Sequence, residues 1–380
     1  MRLGDICSKI GSGATPRGGK EAYSASGIPI IRSQNVLDWS FSSNGLAYLN
    51  DEQARTLSNV EVHQGDILLN ITGDSVARAC IVPSDVIPAR VNQHVAILRP
   101  KEKANATFIL AWLQTNKDLL LKLASSGATR NALTKRMLEG LDINLPSIDI
   151  QNHIAALISL IQSKINLNIK LNGYLLELAT TRFEQALFKS NRVVRLGDIV
   201  KLEDSKRVPL NSRDRDARKG PYPYYGATSI MDYVDDYLFD GIRVLLGEDG
   251  SVIDESGRPI LQYVWGKYWV NNHAHILAAA SDYSLEAIYI ALQRTPISHI
   301  VTGAVQRKIS QRNLNKLKLE MPDAKSLEYL QDIFAAYRCN CEENRGLVSL
   351  RDALLPKLMS REIDVSKIDV AQLNSHLAEY

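Results

Sequence analysis

An internal repeat constrains this chain more than any other feature of its sequence. Four segments of the first half return, in the same order, in the second half. The matched pairs are Arg2–Ile6 with Arg195–Ile199, Gly27–Ile31 with Pro221–Tyr225, Val91–Leu98 with Val270–Leu277, and Gly127–Pro146 with Gly303–Pro322. The separation between partners shrinks along the repeat, so the framework is kept while the loops differ in length. The pattern predicts one globular fold that is present twice.

Length and composition set the broad class of protein. The chain has 380 residues, which suits two or three domains. Hydrophobic residues make up 45% and charged residues 23%, the balance of a soluble globular protein. No apolar run approaches the roughly 20 residues of a membrane span, and the N-terminus lacks the pattern of a signal peptide. We therefore expect a cytoplasmic protein that does not contact the membrane.

Cysteine spacing and net charge give weaker signals. The four cysteines are scattered, and Cys339 with Cys341 forms a C-x-C pair without a second pair of ligands. This spacing favours reduced thiols, and we predict no metal site. The formal net charge of +3 permits nucleic-acid binding but does not argue for it, so a binding surface would need local clustering of charge.

A helical pattern follows each repeat. After Pro146 and Pro322, apolar residues recur at steps of three and four, which predicts helices over about 150–189 and about 326–359. Pro356 cannot donate a helical hydrogen bond and is expected to bend the second helix. The predicted seam residues are Ile154, Ile158, Ile161, Ile165, Asn168 and Asn172 in the first helix, and Leu330, Phe334, Tyr337, Cys341, Asn344 and Val348 in the second.

Narrow apolar stripes on two long helices favour pairing between them. The shared amide position, Asn168 and Asn344, favours a fixed register because a buried amide is costly unless it faces a partner. A pseudo-two-fold relation between the repeats would make the pair antiparallel and would place the globular domains at opposite ends of a rod. The alternative is that each helix packs on its own domain.

Each globular domain is predicted to have a mixed α+β fold. The segments Asp66–Ile71 and Arg243–Leu246 resemble buried strands, and Phe108–Leu123 and Leu285–Arg294 resemble helices with apolar faces. Clusters of Gly, Pro, Asn and Ser between these segments predict many exposed loops.

A search for catalytic and cofactor motifs gives no match. Gly13–Glu21 comes near a phosphate-binding loop, but its spacing is wrong by one residue. No G-x-G-x-x-G opens a βαβ unit. His94 and His273 occupy the same repeat position, and without further ligands nearby this favours structural hydrogen bonding over metal binding. We therefore predict no catalytic residues and no cofactor bound by this chain.

The predicted loops carry residues suited to nucleic acid. Arg and Lys neutralise phosphates, while Arg, Asn and Gln hydrogen-bond to guanine and adenine edges. For any single residue, a solvated surface role is the alternative. The candidate DNA contacts are Thr15, Arg17, Lys20, Arg32, Gln34, Asn35, Thr72, Ser75, Arg78, Arg130, Asn131 and Lys135 in the first repeat, and Lys206, Arg207, Arg213, Arg215, Arg218, Thr228, Ser229, Gln306, Arg307 and Lys308 in the second.

Several of these motifs together resemble one family, the DNA-specificity subunits of type I restriction–modification enzymes. They are the Leu-Gly-Asp-Ile opening of each half, the Tyr222–Ala227 segment, the Arg-x-Leu exits that end at Pro146 and Pro322, and the tail Glu343–Leu358. The resemblance runs from Arg2 to about Asp364. Because this chain begins directly at the Leu-Gly-Asp-Ile element, we expect it to lack an N-terminal extension.

The resemblance implies two target recognition domains that each read half of a split, asymmetric DNA site. It also implies an antiparallel coiled coil that sets the distance between half-sites. The implied boundaries are 1–147 and 191–323 for the recognition domains, 148–190 and 324–364 for the spacer helices, and 365–380 for a tail.

The same resemblance implies partners. Double-stranded DNA is one, two modification subunits that use S-adenosylmethionine to methylate adenine are others, and restriction subunits that use ATP and Mg complete the assembly. The chain itself is then not an enzyme. The alternatives are a specificity subunit of a type II system with split recognition, an autonomous enzyme, and a two-headed scaffold for proteins.

Overall fold

The computed structural model describes residues 1–16, 18, 22–125, 131–303 and 306–365. By its internal contacts the chain divides into two units. Unit 2 is Asn168–Glu342, and unit 1 comprises the described residues before and after it. Each unit holds one copy of the repeat and a part of both long helices.

Unit 1 contains the first copy. Its strands are β1 (Cys7–Ser12), β2 (Ile28–Ile31), β3 (Ala47–Leu49), β4 (Glu61–Val62), β5 (Ile67–Asn70), β6 (Ala79–Ile81), β7 (Ala89–Val91) and β8 (Val95–Pro100). Its helices are α1 (Leu3–Ile6), α2 (Asp51–Thr56), α3 (Ala106–Thr115), α4 (Lys117–Ser125) and α5 (Lys135–Glu139), followed by α6 (Ile148–Lys189), which begins in unit 1.

Unit 2 contains the second copy. Its strands are β9 (Arg192–Arg195), β10 (Val200–Leu202), β11 (Lys219–Tyr225), β12 (Ile230–Val234), β13 (Phe239–Asp240), β14 (Arg243–Gly247), β15 (Leu261–Val264), β16 (Lys267–Val270), β17 (Ala274–Ala279), β18 (Val301–Thr302), β19 (Lys308–Ile309) and β20 (Lys318–Met321). Its helices are α7 (Leu196–Ile199), α8 (Ser212–Ala217), α9 (Leu285–Arg294) and α10 (Gln311–Asn315), followed by α11 (Tyr329–Met359), which begins in unit 2.

The sheets of the two units share one plan. Unit 1 has an antiparallel sheet of order β1-β8-β5-β6 and a mixed sheet of order β3-β2-β7-β4. In unit 2 these correspond to β10-β17-β14-β15 and β12-β11-β16-β13. The parallel pair in each mixed sheet is equivalent, β2 with β7 and β11 with β16. The predicted α+β repeat is confirmed.

One inner strand of each antiparallel sheet, β5 in unit 1 and β14 in unit 2, is buried on both faces. In β5, Ile67 and Leu69 pack in the core beneath the helices, while Leu68 faces the core shared with the mixed sheet. In β14, Leu246 and Leu245 divide between two cores in the same way. Successive side chains of a strand point to opposite faces, so an unbroken apolar run serves two cores at once. This explains why both segments are apolar without alternation.

The helical turn that opens each copy of the repeat, α1 or α7, packs against the short helix near the end of that copy, α5 or α10. The backbone N–H of Leu3 donates to Leu141 O at 2.8 Å, and that of Leu196 donates to Leu317 O at 2.8 Å. A Cβ atom added to Gly197 would lie 2.9 Å from the Cβ of Asn315, on α10. Glycine permits this close approach. The Leu-Gly-Asp-Ile motif is therefore a closure that joins the start of each copy to its end.

One predicted helix is two helices. The segment expected to be continuous over Phe108–Leu123 breaks at Asn116, between α3 and α4. The side-chain amide of Asn116 donates to Trp112 O at 2.8 Å, and its backbone N–H binds the same carbonyl. This side chain competes for a helical carbonyl, which ends α3. The helix predicted over Leu285–Arg294 has those bounds as α9.

The two long helices are confirmed. α6 has 42 residues and α11 has 31, with Pro356 inside its last turns. α11 begins at Tyr329 rather than near Ser326, because Ala324–Leu327 forms a short 3-10 helix.

The helices pair antiparallel within each unit. In unit 1, Asn344 Nδ2 donates to Ile165 O at 3.2 Å, and Arg351 Nη1 donates to Gln162 Oε1 at 3.0 Å. Residue numbers rise along α11 while the numbers of their partners in α6 fall, which defines an antiparallel pair. In unit 2, Asn172 Nδ2 donates to Tyr337 O at 3.3 Å and Arg182 lies over the ring of Tyr329, which gives the same direction.

The predicted seam residues lie on the inner side of these pairs. Ile154, Ile158, Ile161, Ile165, Asn168, Leu330 and Phe334 are buried, and Tyr337, Cys341 and Asn344 are half-buried. Asn172, also predicted for the seam, is buried, and its Oδ1 accepts from Asn340 Nδ2 at 2.8 Å. Amides therefore fix the register in unit 2 as well as in unit 1. Among the described residues, no helix has the length and apolar character that a bilayer span requires.

Gly197→Ala tests the closure. The added Cβ meets both the Cβ and the carbonyl oxygen of Asn315, so the substitution should lower the free energy of unfolding by about 1–3 kcal/mol. Gly346→Ala is the control, since its added Cβ meets no heavy atom within 4 Å and it lies within α11. That variant should gain about 0.5–1 kcal/mol. Urea unfolding measures both, and equal effects would contradict the closure.

Candidate nucleic-acid interface

One edge of the antiparallel sheet in unit 1 gathers several loops. It lies where β5 ends and β8 begins. Gly13 N–H donates to Val95 O at 2.9 Å, Ile71 N–H donates to His94 O at 3.0 Å, and Leu133 N–H donates to Ile71 O at 2.9 Å. These backbone bonds bring four segments that are distant in sequence together. We call the resulting set of loops around residues 13–15, 70–78, 91–94 and 131–133 the unit 1 edge.

Gly13 is required by the geometry of this edge. A Cβ atom at this position would lie 1.9 Å from Val91 O and 2.4 Å from Asn92 O. No side chain can occupy that space, so the backbone itself crosses the strand end. Gly13, the first glycine of the segment that comes near a phosphate-binding loop, therefore allows a close contact between two backbone segments.

An asparagine holds the same turn in both units. Asn92 Oδ1 accepts from His94 N–H at 3.0 Å, and Asn271 Oδ1 accepts from His273 N–H at 2.8 Å. Each histidine ring then bonds a neighbour: His94 Nδ1 lies 2.6 Å from Thr72 Oγ1. In unit 2, Nδ1 of the equivalent ring lies 2.5 Å from a carboxylate oxygen of Asp249. The histidines therefore have the structural hydrogen-bonding role that their repeat position predicts.

Unit 2 builds an equivalent edge. Glu248 N–H donates to His273 O at 2.8 Å, and Ile309 N–H donates to Glu248 O at 2.9 Å. The same two bonds occur in unit 1. Gly250 N–H also donates to Arg307 O at 3.0 Å. We call the loops around residues 203–207, 248–250, 271–273 and 306–309 the unit 2 edge.

Many predicted contacts lie at these edges. In unit 1, Thr15, Thr72, Ser75 and Arg78 are half-buried and Asn131 is exposed. In unit 2, Lys206, Gln306, Arg307 and Lys308 are exposed. Arg17, Lys20 and Arg130 lie outside the described residues.

A second loop is tied to the unit 1 edge through Asn70. Its amide donates to Ser33 O at 2.9 Å and to Val36 O at 3.1 Å. The exposed Gln34 and the half-buried Arg32 lie in this loop, and both donate to Gly45 O. In unit 2 the equivalent loop after β11 exposes Thr228 and Ser229.

Asn35 does not present its side chain to solvent. It is fully buried, accepts from Arg32 N–H at 3.0 Å, and donates to Ser42 O at 2.9 Å and Asn44 O at 3.2 Å. Its amide holds the loop that carries Arg32 and Gln34. Its predicted contact with DNA is therefore replaced by a supporting role.

Three predicted arginines are ion-paired within the protein. Arg207 contacts Glu248 at 2.6 Å, Arg215 contacts Asp232 at 3.3 Å and Arg218 contacts Asp235 at 2.9 Å. An arginine whose charge is neutralised by a neighbouring carboxylate attracts phosphate less strongly than an unpaired arginine. Arg213 on α8 is exposed, as is Lys135 on α5, which lies 3.5 Å from Glu139.

Gln93 and Asn272 are two further candidate contacts that were not predicted from the sequence. Both are exposed at the apex of the turn that Asn92 and Asn271 hold. The signal was available, because each stands between the asparagine and the histidine of a repeated motif. An amide at a rigid turn apex suits hydrogen bonding to a base edge.

A buried ionic cluster supports the unit 2 edge. Asp204, Glu248 and His275 bring three possible metal-ligand atoms within 4.8 Å of one another. His275 Nδ1 lies 2.6 Å from Asp204 Oδ2, and its Nε2 lies 2.8 Å from Ile309 O. Both ring nitrogens are therefore engaged by hydrogen-bonding groups of the protein itself.

The two carboxylates of this cluster are also occupied. Asp204 accepts from Gln311 Nε2 at 2.6 Å and from Ile276 N–H at 2.8 Å. Glu248 faces Arg207 at 2.6 Å and Lys308 at 3.3 Å. The arrangement suits a network of ion pairs that fixes two cations at the edge better than it suits a metal.

The pKa of Asp204 reflects this network. Burial alone would raise it, but the hydrogen bond and positive charge of His275, with the donors of Ile276 and Gln311, outweigh burial and hold the pKa below its usual range. The carboxylate therefore stabilises the fold at pH values above its ordinary pKa, and this contribution is lost as pH falls through the lower folded value.

Asp204→Asn tests the cluster. Near pH 7 the variant should lose roughly 3 kcal/mol of stability, because it removes the buried carboxylate that pairs with His275 and accepts from Gln311 and Ile276. The difference from wild type should narrow below about pH 4, where the unfolded carboxyl is protonated. Asp214→Asn, at an exposed position, should change stability by less than about 0.5 kcal/mol. Urea unfolding across pH measures this, and a difference that does not vary with pH would refute the ion pair.

Comparison with known proteins places this architecture. The family model for the type I restriction modification DNA specificity domain matches residues 1–175 and 189–337. A putative type I restriction enzyme specificity subunit of Haemophilus influenzae is 30% identical over 127 residues, which cover 33% of this chain and 32% of that protein. The putative MjaX specificity subunit of Methanocaldococcus jannaschii is 20% identical over 96% of this chain and 93% of its own length.

A solved structure shares the fold. The crystal structure of the type I restriction–modification S subunit from M. genitalium matches with a TM-score of 0.55 and 15% sequence identity, over 94% of this chain and 95% of that one. The family model covers both copies of the repeat and most of the chain. With two copies of this domain and an equivalent edge in each, this chain belongs to the DNA-specificity subunits of type I restriction–modification systems, a family of recognition subunits.

Proposed function

We propose that this chain reads a bipartite, asymmetric DNA site, with one half-site at each edge. The repeated edge geometry supports this proposal more than any other observation. Two backbone hydrogen bonds at the edge are the same in both units, while the exposed side chains differ: Asn131 N-terminal to Leu133 in unit 1 corresponds to Arg307 N-terminal to Ile309 in unit 2. One scaffold with two sets of side chains suits the reading of two different short sequences.

The energetics favour two readers. A mismatch costs roughly 1–3 kcal/mol, so a single edge that reads three or four base pairs discriminates poorly against a genome of competing sites. Two edges on one chain add their discrimination. A helical connection also avoids the loss of effective concentration that a flexible linker would bring.

We infer that the chemistry lies in partner subunits. Two modification subunits would bind S-adenosylmethionine and methylate adenine, and restriction subunits would use ATP and Mg for cleavage. The chain's own task would be to direct them to double-stranded DNA in the cytoplasm. This assignment rests on membership of the family and on the empty search for catalytic motifs in the sequence.

Variants of the unit 2 edge should affect one half-site. Gln306→Ala with Arg307→Ala removes two exposed polar side chains and should weaken discrimination at one half-site about tenfold or more, since a bidentate base contact is worth about 1–3 kcal/mol. Asn131→Ala in unit 1 is the matched control and should affect the other half-site. Competition binding with duplexes mutated in each half-site measures this. A loss of discrimination shared equally between half-sites would contradict the assignment.

Helix length should set the spacer between half-sites. Four residues inserted into α6 between Ile165 and Leu171, with four more in α11 between Cys341 and Asn344, lengthen the pair by about 6 Å. The preferred spacer should grow by roughly two base pairs, at about 3.4 Å each, while both half-sites stay the same. Gly346→Ala keeps the helix length and should keep the spacer. Methylation mapping tests this, and an unchanged spacer in the insertion variant would refute it.

A further inference from the structure

An aromatic cluster joins the second recognition domain to the part of α11 that lies in unit 2. The ring centroids of Tyr263 and Phe334 are 4.9 Å apart, and those of Trp265 and Tyr337 are 6.1 Å apart. Tyr289 of α9 completes the cluster, 5.7 Å from Tyr263 and 5.9 Å from Phe334. Phe334 is fully buried. Sheet, short helix and long helix thus meet through large rings, which resist sliding more than flexible aliphatic side chains do.

Polar contacts lock the same joint. Tyr263 Oη donates to Glu286 Oε1 at 2.6 Å, and Arg338 Nη1 approaches the same carboxylate at 3.3 Å while also contacting Tyr263 Oη. Glu286 is 5% exposed, so its charge depends on the arginine of α11. Trp265 Nε1 donates to Glu342 Oε1 at 2.6 Å. Any rotation of the sheet on the helix would break these bonds together.

The joint is connected to the unit 2 edge by one strand. Trp265 lies in the turn between β15 and β16, and β16 ends at Val270, directly before the turn of Asn271 and His273. A four-residue strand spans about 13 Å. A displacement at the joint is therefore transmitted to the turn apex by a strand whose Tyr268, Trp269 and Val270 are buried.

We propose that the contacts of Tyr263 and Trp265 with Phe334, Tyr337, Arg338 and Glu342 hold the unit 2 edge at a fixed angle to its helix and so restrict the spacer length that the chain accepts. These are positioning residues. The inference rests on the proposed reading of a bipartite site. It assigns spacer selectivity to two things, the length of the helices and the stiffness of this joint.

The test uses the full-length chain with its cognate modification subunits. Methylation is measured on duplexes that carry both half-sites at the optimal spacer, and at spacers one base pair longer and shorter. In Trp265→Ala the preference for the optimal spacer should fall about tenfold relative to wild type, while the base preference within each half-site stays the same. Trp265→Phe keeps a ring but loses the bond to Glu342, and should show a smaller fall in the same ratio.

Trp112→Phe is the control. Trp112 is a buried tryptophan on α3 of unit 1, outside both the joint and β16. It should keep the wild-type ratio even if overall activity falls. If the Trp265 variants lower methylation equally at every spacer, their role is structural and the inference is overturned. If the wild-type chain shows no preference for spacer or half-sites, the proposed function itself fails, which separates the two outcomes.

Discussion

The closure of each unit on itself is the constraint from which the rest of the structure follows. The backbone of Leu3 binds Leu141, and that of Leu196 binds Leu317, so the first and last elements of each copy are held side by side. Gly4 and Gly197 allow this approach, because an added Cβ atom would lie 3.2 Å from the Cβ of Glu139 on α5 or 2.9 Å from the Cβ of Asn315 on α10. The chain consequently leaves each recognition domain at a fixed place and enters a long helix there. In each unit, the edge and the adjoining part of the long helix are therefore held in a fixed position relative to each other.

The parts that the sequence predicts are those encoded by local periodicity and self-similarity. α6, α9 and the seam residues depend on spacing along one element, and the second copy of the α+β fold depends on the repeat. The strand order was not predicted, although the pairing is equivalent in the two copies: Leu69 lies opposite Ala96 as Leu246 lies opposite His275. The break at Asn116 was not predicted because a polar residue at a helix surface gives no distinct signal. The pairing of Arg207 with Glu248 and that of Trp265 with Glu342 could not be predicted, since each joins residues far apart in sequence. The sequence therefore identifies candidate contacts by residue type, but it does not show which side chains are exposed and which form ion pairs within the protein.

The two edges share a backbone and differ in electrostatics. At the positions of Glu248 and His275, unit 1 has Ile71 and Ala96, so its edge is supported by apolar packing instead of a buried ion network. In unit 2 that network fixes Arg207 and the exposed Lys308. The two copies share hydrogen bonds that shape the edge, while the side chains around these bonds differ. One scaffold can therefore carry two recognition surfaces for half-sites of different sequence.

The central claim is that one chain reads two separated half-sites. The most direct test is to map methylated adenines in DNA exposed to this chain with its cognate modification subunits. We expect a bipartite motif, two short defined sequences separated by a spacer of fixed length and unspecified sequence. A single contiguous motif, or methylation that does not depend on this chain, would contradict the claim.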